Sequence, residues 1–479
     1  MLRPIVYCAV FLLNVALLTR IRTRSVRQVV LLISSYLLYI SWGAWFAAIL
    51  VASTVINFFL GEWLRRKPAK SVLTTGILLN LALLASFKYL PDVAVNLPFS
   101  SLQKFAHLAL PLGISFWTFQ AMSYLFDLYR EEELKPSFIE FALYMAFFPV
   151  AISGPICRMP DMLPQFRCEE LTSKHDLGRG FARIATGFLM MQFARVLGQG
   201  ILSGDGINSA FDHHAHWSGA DVWCLGFGFG LQLFFDFAGY SHIAIGAGQC
   251  LGFVLPENFE RPFLSTTPSL FWTRWHMSLS FWIRDYVFLP LAMMRREIWW
   301  RNMILVLSMV LFGIWHRATL LFLLWGCYHG LLLVLHRQFQ QVQHKMNWTP
   351  PSAIWTSLSW LTTICLVSLG WIFFRANSLP QALQMFGAVF SPVTYSTHLL
   401  TGSLYLLVFA LAGGYAAVLF VCEFLDRYED ESGPSAIATS IARHRWYWIP
   451  PIYALSLVVV LIVTHTQGAF AGQFMYRRF

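Results

Sequence analysis

Residues 302–335 read NMILVLSMVLFGIWHRATLLFLLWGCYHGLLLVL. The stretch is apolar for longer than one crossing of a hydrocarbon core needs, since roughly 20 residues of helix cover about 30 Å. In its middle stands Gly313-Ile314-Trp315-His316-Arg317, polar and bulky where a simple span would stay apolar. Polar or kinked backbone within a membrane is tolerated where protein or a water-filled cavity satisfies it. The spacing therefore predicts a break near Gly313, with His316 and Arg317 lining a wet cleft at membrane depth.

Working outward, the same apolar character covers nearly the whole chain. Of 479 residues 57% are hydrophobic and 12% charged, which excludes an ordinary soluble domain. Spans are expected near residues 4–19, 28–43, 45–63, 71–87, 109–128, 137–152 and 177–202, before the central stretch. Two-fold alternation is absent, so a lipid-facing barrel does not fit. The expected fold is all-α: one membrane-embedded domain over residues 1–479, with roughly 11 transmembrane helices plus re-entrant or interfacial helices enclosing a central cavity. The polar stretches 153–176, 203–221, 338–351 and 425–445 read as loops.

The net charge of +10 comes from short basic clusters between apolar runs, which points to topology and away from nucleic acid. Arg20, Arg22, Arg24 and Arg27 follow the first run, and Arg65, Arg66, Lys67 and Lys70 the third. Placing both clusters in the cytoplasm puts the N-terminus outside. Eight cysteines occur without a C-x-x-C pair. Cys157 and Cys168 share a polar loop and would pair only in an oxidising compartment.

Two further segments carry candidate chemistry. The Gly-rich run 222–255 contains Gln232, Asp236 and the sequence Phe237-Ala238-Gly239-Tyr240-Ser241-His242. A carboxylate there is costly, so Asp236, Gln232 and Tyr240 are candidates for a cavity lining, with a buried interhelical hydrogen bond as the plainer reading. Residues 271–290, FWTRWHMSLSFWIRDYVFLP, place Trp272, Trp275, Leu279, Trp282 and Tyr286 on one helical stripe. His276, Ser280 and Arg284 follow at intervals of four on another face, which predicts a short interfacial or re-entrant helix. Asp212-His213-His214-Ala215-His216 clusters imidazoles, but no matching ligand set stands nearby, and no metal site is expected. Neither a Walker loop nor H-E-x-x-H occurs, and the segment around Ser241 misses the G-x-S-x-G elbow at its last position.

These segments, with others, resemble the membrane-bound O-acyltransferases, in particular the bacterial branch that includes alginate O-acetylases and teichoic-acid D-alanyl transferases. The matching blocks are LPLGISFWTFQAMSYLFDLYR from Leu110, FFPVAISGPICR from Phe147, LQLFFDFAGYSHIAIGAG from Leu231, PENFERPF from Pro256, FWTRWHMSLSFWIRDYVFLPL from Phe271, FGIWH from Phe312, LWGCYHG from Leu324 and GWIFFRA from Gly370. They run in order over residues 110–376. The resemblance implies acyl transfer to a hydroxyl, with His316 as general base and His276 as its upstream polar companion. Trp315, Arg317, Asp236, Gln232, Tyr240 and Ser280 would line the substrate cavity. It also implies an acyl thioester co-substrate, acetyl-coenzyme A or an acyl carrier's phosphopantetheine, with no permanently bound cofactor.

As partners it implies the bilayer, a polysaccharide or other hydroxyl acceptor, and a periplasmic transferase or acyl carrier protein, with the chain multi-pass in a bacterial inner membrane. Acetyl transfer to an exported or surface polysaccharide is the leading expectation. D-alanyl or longer-chain transfer to a teichoic-acid, lipid or protein acceptor stands beside it, as does a transporter or channel, although paired repeats are not visible. One departure is plain: the family motif continues His-Gly-Ala, whereas here His316 is followed by Arg317-Ala318. Arg317 would then clamp an anionic group, snorkel, or pair with Asp236.

Overall fold

The computed structural model describes residues 2–96, 108–130, 133–169, 174–200, 206–213, 216–348, 352–396, 398, 400–432 and 447–455. Nearly all of them are helical, and among them the only β-pairing is an isolated bridge between Phe259 and Trp275. In chain order the helices are α1 (Leu2–Leu18), α2 (Arg24–Trp42), α3 (Ala44–Arg66), α4 (Lys70–Lys88), α5 (Leu90–Asn96), α6 (Ile114–Tyr129), α7 (Phe138–Ala146), α8 (Met159–Arg167), α9 (Lys174–Gln199), α10 (Ile207–His213) and α11 (Gly219–Cys250). There follow α12 (Pro268–Arg274), α13 (Met277–Ile283), α14 (Leu289–Ala292), α15 (Ile298–His316), α16 (Leu320–Lys345), α17 (Ser352–Arg375), α18 (Leu379–Phe390), α19 (Gly402–Ser432) and α20 (447–455).

Eight of these are long and apolar enough to cross a membrane: α2, α3, α4, α11, α15, α16, α17 and α19. Their outward residues are apolar too, among them Ile33, Leu37, Phe59, Leu78, Leu307, Leu311, Leu331 and Leu358. Such surface is unfavourable in water and suits lipid contact. The chain is a polytopic, all-helical membrane protein.

The chain divides into two compact units, residues 1–184 with 244–257, and residues 185–243 with 258–479. In the first unit, buried polar side chains knit the helices together. Asn14 on α1 donates to Ser34 on α2 at 2.8 Å, and Asn57 on α3 pairs with Asn80 on α4 at 2.7 and 3.2 Å. Such contacts suit helices in lipid, where apolar surface alone gives little drive to associate. Glu140, 1% exposed, is the strongest of these junctions. It closes a capping box with Ser137 at the start of α7 and receives Arg24 at 2.6 Å and Arg167 at 3.0 Å. Burial alone would raise its carboxyl, but hydrogen bonds from Arg167 and Ser137 outweigh that and hold it at about 2. Arg27 is also buried and donates to the Cys168 carbonyl at 3.4 Å. Two arginines of the first basic cluster are therefore structural.

Several expectations are corrected. Only residues 138–146 of the predicted span 137–152 are helical, about 14 Å of rise, and the chain then turns through 147–154 while staying buried. Buried aromatic packing, with Phe147 against Phe166 and Phe253, makes this non-helical segment read as a span. The stretch 153–176 is not all loop, since it contains α8, and α16 runs on to Lys345 through part of the expected loop at 338–351. Cys157 is buried, Cys168 exposed, and both are free thiols.

Candidate active site

In the second unit α15 and α16 form a tight hairpin. The helix continues through Gly313, and the break comes at residues 317–319, after His316. Each half is long enough to cross by itself, so the turn falls at the end of a span and not within one. Gly313 has a different use from the expected kink: a Cβ there would strike the Phe322 carbonyl oxygen of α16, so only glycine allows the two backbones to approach this closely.

His316 is the last residue of α15 and 6% exposed. Five aromatic rings surround its imidazole: Trp315 at 4.6 Å, Phe374 at 5.1 Å, Phe312 stacked at 5.4 Å, Trp325 at 5.9 Å and Phe322 at 6.1 Å between centroids. His276 approaches the same group, 6.3 Å from Phe312 and 6.4 Å from Trp315. Because Trp315 is 6.4 Å from one imidazole and 4.6 Å from the other, the two are at most about 11 Å apart. Forty residues of sequence separate them.

The segment 271–290 does not form the single helix its stripe suggests. It breaks at His276, whose backbone is left-handed (φ 44°, ψ 52°), and resumes as α13, then a π-turn over Arg284–Phe288, then α14. His276, Ser280 and Arg284 thus do not share a continuous face. A left-handed residue with a Cβ costs roughly 1–2 kcal/mol and must be held in place.

Asn258 does much of the holding: its carbonyl accepts from the Met277 N–H at 2.8 Å and its Oδ1 from the Ser278 hydroxyl at 2.6 Å, while its Nδ2 donates to Ser241 at 3.0 Å. The Glu260 N–H bonds the Arg274 carbonyl at 3.0 Å, and Phe259 bridges Trp275 beside it. Trp272, Trp275, Leu279, Trp282 and Tyr286 are all buried, so the aromatic stripe is packing. His276 is 2% exposed and outside the eight spanning helices, and burial pushes its imidazole down to about 3. It is neutral near pH 7.

The other candidates separate by environment. Trp315 neighbours both imidazoles. Asp236 and Gln232 are buried on α11, and the Gln232 amide contacts Asn208 Oδ1 at 3.5 Å. Tyr240 is half-buried on the same helix. The Ser280 hydroxyl donates to the Trp275 carbonyl at 2.9 Å, a bond local to the His276 turn. Arg317 is exposed on extended backbone and makes no ion pair among the described residues, so the pairing with Asp236 is not formed. No group of three or more His, Cys, Asp or Glu among the described residues is placed to hold a metal. Residues 214 and 215 of the imidazole cluster lie outside the described residues, and Asp212 pairs with Arg375 at 3.0 Å.

Sequence reading missed Asn258, within the PENFERPF block, and the buried aromatics Trp325, Phe374 and Trp371. It also missed His329, 1% exposed, whose ring lies 5.0 Å from that of Trp325. Their helical spacing looks like ordinary core packing. Only the resemblance to the family's sequence blocks carried a signal.

Comparison with known proteins agrees with this architecture. Residues 94–376 match the model of the membrane-bound O-acyltransferase family. A probable alginate O-acetylase of Pseudomonas syringae is 34% identical over 436 residues, covering 86% of this chain and 80% of its own length. A peptidoglycan O-acetyltransferase of Helicobacter pylori is 31% identical over 392 residues, covering 74% of this chain and 72% of its own. A teichoic acid D-alanyltransferase of Bacillus subtilis is 33% identical over 279 residues, 56% of this chain and 69% of its own. The chain belongs to the membrane-bound O-acyltransferase family, and is a multi-pass membrane O-acyltransferase.

Proposed function

We propose that this enzyme transfers acetyl from a thioester donor to hydroxyls of an exported or cell-surface polysaccharide, with His316 as general base. The observation that carries the reading is the convergence of His276 and His316 on Trp315 and Phe312, in a chain whose acetylating relatives align along most of its length.

The acceptor hydroxyl gives its proton to His316 as its oxygen attacks the thioester carbonyl. The carbon–sulfur bond then breaks, and His316 returns the proton to the departing thiolate. General-base assistance of this kind contributes roughly 10²–10⁴ in rate. His276, neutral by burial, serves as an uncharged hydrogen-bond partner that orients the acceptor or steadies the carbonyl oxygen. Direct transfer fits the site, because neither Ser nor Cys adjoins His316 in sequence. Acetyl-coenzyme A or an acyl carrier's phosphopantetheine would supply the acyl group from the cytoplasm of a cell with this enzyme in its inner membrane, and a periplasmic transferase is a compatible relay partner.

The test is mass spectrometry of surface glycans from a deletion strain complemented with wild-type or His316→Gln protein at equal level. Wild type should restore O-acetyl groups and the variant should not. Restoration by the variant refutes the base assignment. D-alanyl esters in place of acetyl would favour a second reading, which the teichoic acid D-alanyltransferase similarity supports over a smaller share of the chain.

A further inference from the structure

The hairpin of α15 and α16 carries its charge at one end. Its register is set by glycines packed on the opposite arm: Gly313 faces Phe322, Gly326 faces Met309 and Val310, and Gly330 faces Val306. Continued in the same register, Arg337 comes level with Ile298 and Trp299, at the end remote from His316. Arg295, Arg296 and Arg301 flank the start of α15 there, and Arg337 and Lys345 stand on the last turns of α16. Glu297 is the only acid in residues 286–348. None of the five cations makes an ion pair among the described residues, and all but Arg337 are exposed.

Apolar side chains are interleaved with these cations. Met293 is 76% exposed, Met294 and Met346 are each 70% exposed, and Trp299, Phe339 and Trp348 are exposed beside them. Such a surface is unfavourable in water. α16 has 26 residues, about 39 Å of helix, so roughly six of them stand beyond a hydrocarbon core of about 30 Å. The polar residues put that excess at its C-terminal end. There Arg337, Gln340, Gln341, His344 and Lys345 line an open groove of about 390 Å³, while Phe339, Val342 and Met346 occupy the opposite face at helical spacing. The Arg295 guanidinium lies 4.8 Å from the Trp300 ring. Cations, aromatic rings and apolar chains in one band suit the boundary between headgroups and acyl chains. The band is continuous with outward-facing Met303, Leu307, Leu331 and Leu335 on the same two helices.

We propose that the open end of this hairpin is a docking surface for anionic phospholipid headgroups of the cytoplasmic leaflet. Five cations against one carboxylate complement the headgroup phosphates, and the cytoplasmic side follows from the positive-inside rule. A soluble acidic protein matches the charge but not the methionines and aromatic rings, which the bilayer covers. His316 lies about 27 Å of helix away. The surface therefore takes no part in acyl transfer itself; it fixes the depth at which the hairpin holds His316.

The test uses the full-length enzyme in lipid nanodiscs of phosphatidylcholine, with or without phosphatidylglycerol. Wild type should melt about 3 °C or more higher with phosphatidylglycerol present, because a ligand held by the folded state stabilises it. Arg295→Gln/Arg296→Gln/Arg337→Gln/Lys345→Gln should lose about a third or more of that rise and retain fewer phosphatidylglycerol molecules in native mass spectrometry. Arg295→Lys/Arg296→Lys/Arg337→Lys keeps the charge and should behave as wild type. An unchanged rise with unchanged lipid retention in the glutamine variant overturns the surface, and so does an equal loss in the lysine variant. If the glutamine variant keeps both yet acylates less in cells, an acidic protein is the occupant and the lipid proposal fails. Arg296→Cys tests the side: in intact cells an impermeant maleimide should label it no more than the wild-type chain until the membrane is opened. Added labelling from outside overturns the cytoplasmic placement.

Discussion

Glu140 in the first unit and His329 in the second are equally buried, each 1% exposed, yet their surroundings are opposite. Around Glu140 the carboxylate is answered by charge and hydrogen bonding: Arg24, Arg167 and the Ser137 cap. Around His329 the neighbours are aromatic rings, and Nε2 has no hydrogen-bond partner among the described residues. A buried carboxylate without its cations would cost several kcal/mol, so its pairing is what permits it to be there. The imidazole cluster accepts a smaller standing penalty, of order 1–3 kcal/mol per unsatisfied group. The polar groups are thus used differently in the two places: as paired joints around Glu140, and as ring nitrogens closed in by aromatic packing around His329.

The sharpest way to break this contrast is at its extremes. His316→Gln should reduce acyl transfer by about 10²–10⁴-fold with membrane yield little changed, because a base acts on the transition state and not on helix packing. Immunoblot-normalised glycan esters measure both quantities. Glu140→Ala should do the reverse. It should cost about 2 kcal/mol of stability, less than the roughly 3–5 of a pair sealed on both sides, since Arg24 and Arg167 are 39% and 41% exposed and regain water. Activity per folded molecule should hold.

Acid provides the same test on the wild type. The Glu140 carboxyl titrates lower in the folded protein than its ordinary 4.5, so its contribution is complete above that value and is lost as pH falls toward about 2. Melting measured across that window should fall, and Glu140→Gln should flatten the part that Glu140 causes.

Asn258 is the intermediate case, a paired residue whose pairing serves the site. Asn258→Ala removes a side-chain partner of Ser241 and Ser278, two buried hydroxyls, and loosens the left-handed turn at His276, which keeps only its backbone bond to Asn258. A loss of about 1–3 kcal/mol is expected, together with a severalfold drop in activity per folded molecule. A stability loss with full activity would show that the turn's strain is unrelated to catalysis.

How much of this was legible in the sequence follows from the range of the interactions involved. The spans expected at 4–19, 28–43, 45–63 and 71–87 correspond to α1 to α4 within a few residues, because length and apolar character are local properties. His316 stood out because polar groups interrupt an apolar run. The break at His276 was hidden: the stripe spacing is compatible with one helix, and the clamp that splits it comes from Asn258, 18 residues upstream. His329 was hidden for a similar reason. What makes it unusual is how closely Nε2 packs against the backbone at Gly370, in a different helix. Periodicity within one segment carries no information about either.

The smallest expected effect belongs to Arg317, where neither kind of environment applies. It follows His316 directly, yet it is exposed, extended (φ −157°, ψ 133°) and outside any ion pair among the described residues. Arg317→Gly, which restores the residue the family motif carries, should therefore change melting by little more than the backbone entropy of one added glycine, about 0.5–1 kcal/mol. An exposed guanidinium that meets an anionic donor or acceptor contributes only a screened interaction, about 2- to 5-fold in affinity. The variant should accordingly show a modest rise in the concentration of donor or acceptor needed for half-maximal acylation, with the maximal rate preserved and the effect shrinking in high salt. No change in that concentration at low salt would mean that Arg317 only snorkels at the end of α15. A large loss of maximal rate would mean that the residue reaches inward to His316 during the reaction, which its extended and exposed backbone argues against.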